Sequence, residues 1–116
     1  MDNINYEGEF AKWLETTDYT GPINLTAKFY VKKDQITNFR QIMKNVIQYS
    51  NFDHGALTYK MFAYYKDPTV FWLVEEWKCV DDLKNHLTDE KHVKDIPSLV
   101  ETLRQTTHIG LYKMLD

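Results

Sequence analysis

The chain has 116 residues, 43% of them hydrophobic, 15% aromatic and 27% charged, which is the composition of one globular domain around one core. Its net charge of −3 comes from interspersed acids and bases, so no basic cluster is present to neutralise phosphates and nucleic acid is excluded as a partner. The longest apolar run, Val70 to Val74, falls far short of the ~20 residues that cross a bilayer, and MDNINYEGEF lacks the basic and apolar regions of a secretory signal.

Tyr6, Phe10, Trp13 and Leu14 recur at the spacing of one helical face, and Thr20-Gly21-Pro22 then breaks the pattern. Residues 1–21 read either as a short helix docked by its aromatic face or as a partly disordered arm, because so short a helix is marginal alone. The domain proper is expected over 22–116. Ile23 to Val31 alternates as a half-buried strand. Asp34 is placed to cap an amphipathic helix carrying Ile36, Phe39, Met43, Val46 and Ile47. After a polar loop, Ser50 to Gly55, two strands are expected at Ala56 to Tyr64 and Thr69 to Trp77, joined by a turn containing Asp67-Pro68.

A helix follows around Val80 to Leu87, with Asp81 and Asp82 in its first turn. Asp89 can cap a further segment with Val93, Ile96, Leu99, Val100 and Leu103 as its buried stripe, interrupted at Pro97. Thr107 to Met114 alternates as a fourth strand. The order β-α-β-β-α-β predicts an α+β, ferredoxin-like fold: an antiparallel sheet with its helices on one face, plus an extra N-terminal helix.

Such a sheet ordinarily turns its second face to water. Here Phe71, Leu73, Glu75 and Trp77 share one face of a strand, while Val70, Trp72 and Val74 occupy the other. The neighbouring strand sets Leu57, Tyr59, Met61 and Ala63 against Phe62 and Tyr64. An apolar second face of that size marks an association surface, and the expected partner is a second copy in a two-fold homodimer.

The segment FWLVEEWKCVDDLKNHLTDEKHVKDI, Phe71 to Ile96, resembles the signature region of the antibiotic-biosynthesis-monooxygenase family of dimeric α+β barrels. The matching positions are Glu75, Trp77, Leu83 and His86, with Gly55 and Tyr59 matching in DHGALTYKM. The likeness runs from about Ile23 to Leu115 and leaves the first 21 residues outside. It implies cofactor-independent oxidation of quinols or polycyclic phenols, haem degradation or isomerisation. Haem-degrading members carry a tryptophan where this chain has His86 and a histidine where it has Ile96. Only Asn24 fits their strand asparagine, so that branch is disfavoured.

His86 is the leading candidate base, because imidazole titrates near neutral pH; the alternative is a satisfied core histidine. Glu75, a carboxyl on an apolar face, must be paired or protonated. It either serves His86 and a substrate hydroxyl or pairs with Lys28, Lys60 or Arg104. Tyr59 and Asn24 are candidates to hold an anion. Phe29, Phe71 and Trp77 either line a pocket for a flat aromatic molecule or simply fill the core.

No metal or cofactor is expected: His54, His92 and His108 lack ligand spacing, and neither a phosphate loop nor a dinucleotide fingerprint occurs. Lone Cys79 has no internal disulfide partner, so a reducing cytoplasm is the expected compartment. Two functions remain open. One is a monooxygenase acting on a small quinol-like or phenolic substrate, whose proton chemistry would equally serve an isomerase. The other is a non-catalytic or stress-related dimer that binds a small hydrophobic or aromatic molecule.

Overall fold

Alternation makes Ile23–Tyr30 a strand, β1, with Ile23, Leu25, Ala27 and Phe29 buried and the residues between them only half-buried. In the computed structural model, which describes residues 9–115, β1 lies inside a four-stranded antiparallel sheet. The other strands are β2 (Ala56–Ala63), β3 (Val70–Trp77) and β4 (His108–Lys113), in the order β2-β3-β1-β4. Four helices accompany them: α1 (Glu9–Thr16), α2 (Ile36–Ser50), α3 (Val80–Thr88) and α4 (Glu90–Glu101). This is an α+β, ferredoxin-like fold. No helix among the described residues is long and apolar enough to cross a membrane.

The core lies between the inner sheet face and the helices. Phe39, Met43 and Val46 of α2, Leu83 of α3 and Leu99 of α4 meet Leu25, Phe29, Leu73 and Trp77 there. Each such side chain, buried to within a few per cent, contributes roughly 1.5–3 kcal/mol. Helix α1 adds Leu14 to this core, with Phe10 and Trp13 packed against it. Tyr6, the first residue of the expected stripe, lies outside the described residues.

Four local expectations are corrected. Asp34 falls in a 3-10 turn, Lys33–Gln35, and α2 starts at Ile36 without a side-chain cap. Leu57 does not join Tyr59 on the inner face. A register shift between Ala56 and Thr58 puts an extra residue in β2, leaving Leu57 55% exposed. Pro97 does not interrupt α4, which runs through it. The bond it cannot make would have gone to the carbonyl of Val93, a residue 52% exposed, where solvent is at hand. Val93 therefore leaves the buried stripe, and His92 takes a buried place on that helix instead.

Candidate functional site

The turn between α2 and β2 closes at Gly55, whose φ of +81° is a left-handed conformation that favours glycine. This turn brings Asp53 up to α3. Across the gap, Nδ1 of His86 lies 2.9 Å from Oδ2 of Asp53. A carboxylate can only accept, so Nδ1 carries the proton and Nε2 is left as the basic nitrogen. His86 is fixed on its flat sides as well. Its ring lies 4.6 Å from that of Trp77 and 4.4 Å from that of His92, with Tyr59 edge-on at 5.3 Å.

Nε2 of His86 is buried, has no hydrogen-bond partner among the described residues, and points toward Oε1 of Glu75 at 3.9 Å. That oxygen accepts a 2.9 Å hydrogen bond from the Trp77 indole N–H, a contact that follows from both residues sharing one face of β3. Burial pushes the Glu75 carboxyl up to about 8, against a smaller lowering by the Trp77 bond. Burial also lowers His86 below the ordinary imidazole value, although Asp53 opposes it. His92 is pushed down to about 3, mainly by burial and then by His86 beside it. At neutral pH both imidazoles are neutral and Glu75 is protonated.

Glu75, Tyr59 and His92 are polar members of the wall of a cavity of about 20 Å³ between the sheet and the helices. Much of the rest of the wall is apolar, including Leu25, Phe29, Met43 and Leu87. As it stands the space holds about one water. Thr107, 6% exposed, also borders it, and its hydroxyl has no hydrogen-bond partner among the described residues.

The structure thus gathers His86, Glu75, Tyr59 and Trp77 at one place; Glu75, Tyr59 and Phe29 border the cavity, whereas His86 and Trp77 are fully buried and do not. Asn24 is elsewhere: it pairs with Glu76 and Tyr112 on the outer face of the sheet, opposite the cavity. Phe71 is buried against Phe39, with ring centres 4.8 Å apart, and does not border the cavity. Glu75 pairs with none of Lys28, Lys60 or Arg104. The two lysines belong to the outer-face alternation, and Arg104 donates to the Val31 carbonyl and Thr69. Asp53 and His92 are the members that sequence reasoning passed over. An acid two residues before a loop glycine was a usable signal for Asp53; no spacing rule points to His92. Among the described residues no group of three His, Cys, Asp or Glu side chains is arranged to hold a metal ion.

A model of the antibiotic biosynthesis monooxygenase family matches residues 22–96. No curated protein sequence matches the chain. Among solved structures, a conserved protein from Methanosarcina mazei is 26% identical with a TM-score of 0.77, covering 79% of this chain and 91% of its own. A structure described as an antibiotic biosynthesis monooxygenase is 21% identical at a TM-score of 0.77, covering 81% and 99%. SnoaB, a cofactor-independent oxygenase from Streptomyces nogalater, is 12% identical at 0.74, covering 82% and 94%, and shares the fold. With the family match spanning more than half its length, this chain belongs to the antibiotic biosynthesis monooxygenase family.

Proposed function

We propose that this protein is a homodimeric, cofactor-independent monooxygenase that oxidises a small quinol-like or phenolic substrate with dioxygen. The observation that carries this reading is the line Asp53–His86–Glu75, half-buried at Asp53 and buried at the other two, ending at the wall of a largely apolar cavity. A closed-shell phenol reacts slowly with dioxygen, whereas its anion can pass one electron to it. The radical pair then recombines as a hydroperoxide on a ring carbon, and loss of water leaves the quinone. The protein has to remove the phenolic proton, hold the anion and keep water out.

His86 is the base, with Asp53 holding its tautomer and stabilising the imidazolium that forms. Glu75 and Tyr59 meet the substrate oxygen, and Phe29 supplies an apolar wall against the ring. Asn24 and Phe71 take no part in this reading. A ring is larger than the cavity, so binding requires the side chains of Met43, Leu87 and Ile96 to move aside. Methionine is suited to that by its flexible thioether chain. The homodimer rests on the outer sheet face, where Phe62, Tyr64 and Trp72 are each about half exposed and await a cover.

The test is dioxygen uptake by the purified full chain over a panel of hydroquinones and dihydroxynaphthalenes. Uptake with quinone formation that is lost in His86→Gln is the expected result. Ligand turnover without dioxygen uptake would point to an isomerase instead, and no turnover across the panel would overturn the reading.

A further inference from the structure

Resting on the phenol-oxidising reading above, we infer that Glu75 relays the substrate proton to His86, which does not itself touch the substrate. The geometry is the argument. Glu75 borders the cavity, whereas His86 does not, and its side chain is fully buried behind that wall. One ring nitrogen of His86 is committed to Asp53, and the other faces Glu75 Oε1 at 3.9 Å without a partner among the described residues. A contraction of about 1 Å on ligand binding would close that gap to a hydrogen bond.

The step balances without an ion on the carboxyl. The substrate O–H bond breaks and its proton joins Glu75 Oε2. In the same event the Oε1–H bond breaks and its proton joins His86 Nε2. The products are a phenolate in the cavity, a neutral Glu75 and an imidazolium paired with Asp53. A buried carboxylate is costly, and this route never creates one. The Trp77 indole N–H keeps Oε1 in place throughout. The other titratable groups facing the imidazole are Tyr59 from β2, His92 from α4 and Asp89 at the start of α4. None of them lies between it and Glu75.

The test uses the full chain with para-nitrophenol, whose phenolate absorbs visible light and which is not itself turned over to a quinone. Binding is followed by quenching of tryptophan fluorescence, phenolate by absorbance and His86 by nitrogen NMR of its ring. In the wild type, binding should produce phenolate together with a doubly protonated His86. Glu75→Gln keeps the shape and the Trp77 bond but cannot pass a proton on, so para-nitrophenol should bind as the neutral phenol beside a neutral His86. Turnover of an active quinol should fall on the order of 10²-fold in the same variant. Phenolate and protonated His86 persisting in Glu75→Gln would overturn the relay while leaving the phenol site intact. Phenolate in the wild type with His86 still neutral would overturn it too, even if the variant does not fold. Absence of para-nitrophenol binding to the wild type would instead count against the phenol site itself, and the relay would fall with it.

Discussion

Asp53 and His86 stand 33 positions apart in the chain and 2.9 Å apart at Oδ2 and Nδ1. The contact ties the loop before β2 to the last turn of α3, and it decides which imidazole nitrogen is free for chemistry. A loop carboxylate that orients a buried ring has a role separable from the ring itself.

Asp53→Asn should therefore lower quinol turnover on the order of 10²-fold, because the amide no longer enforces a proton on Nδ1. KM should change little, since Asp53 does not border the cavity. Steady-state kinetics and nitrogen NMR of the His86 tautomer check this together. Unchanged turnover with a redistributed tautomer would show that the orientation does not matter.

Stability should fall as pH rises above neutrality. The folded value for Glu75 is about 8 against an ordinary 4.5, so the folded state keeps a proton that the unfolded chain has released. That contribution is complete below 4.5 and is lost as pH climbs through 8, at up to about 1.4 kcal/mol per pH unit. His86 and His92 act oppositely: their folded values lie below the ordinary 6.5, so their contribution is lost as pH falls from there. Two histidines outweigh one glutamate on the acid side, which puts the maximum near pH 6.5. Urea midpoints at acid, neutral and alkaline pH measure both limbs. Glu75→Gln should flatten the fall between about pH 6.5 and 8 and steepen the loss between about 6.5 and 4.5, where Glu75 opposes the two histidines. Unchanged slopes on both sides would assign the fall to other groups.

Gly55→Ala should destabilise the fold by at least about 1–2 kcal/mol. The backbone is left-handed there, and an added Cβ would run into the carboxylate of Asp82. Because the same turn carries Asp53, the variant should also lose activity at temperatures where it stays folded. Full activity at wild-type stability would mean that the turn tolerates a side chain.

The outer sheet face should hold two copies together. Trp72 and Phe62 are cross-strand partners, 45% and 51% exposed, with Lys28 Nζ 5.5 Å from a Trp72 ring centre. Light scattering should give about twice the 13.9 kDa of one chain. Trp72→Glu should shift it to a monomer or unfold it. A wild-type monomer at micromolar concentration would dismiss the interface.

Deleting residues 1–20 should leave a folded domain that melts earlier. Helix α1 buries Leu14 and lays Phe10 and Trp13 near Ile23, Ile109 and Leu111. Losing Leu14 alone removes roughly 1.5–3 kcal/mol of burial, so Tm should drop by about 5 °C or more. Ile109 also borders the cavity, so ligand affinity should change as well. An unaltered Tm and affinity would make α1 an appendage without consequence.

Periodicity alone determined much of this protein. A period of two placed Glu75 and Trp77 on one face of β3, which is why their 2.9 Å hydrogen bond was foreshadowed by spacing. The helical stripe from Phe39 to Val46 likewise reports its own buried side, and the order of elements leads to the sheet. Such signals are local: each says which side of an element is apolar and nothing about what lies opposite. Contacts between elements depend on register and docking angle, so only the tertiary structure decided that Asp53 meets His86 and that His92 stacks on it. The same holds for Asn24, which the strand period put on one of two faces without saying which face holds the cavity. An extra residue in β2 turned Leu57 outward, because one inserted position reverses every side chain before it. Pro97 remained inside α4 because the helix is held by packing of Leu99 and His92, which outweighs the one hydrogen bond the ring removes.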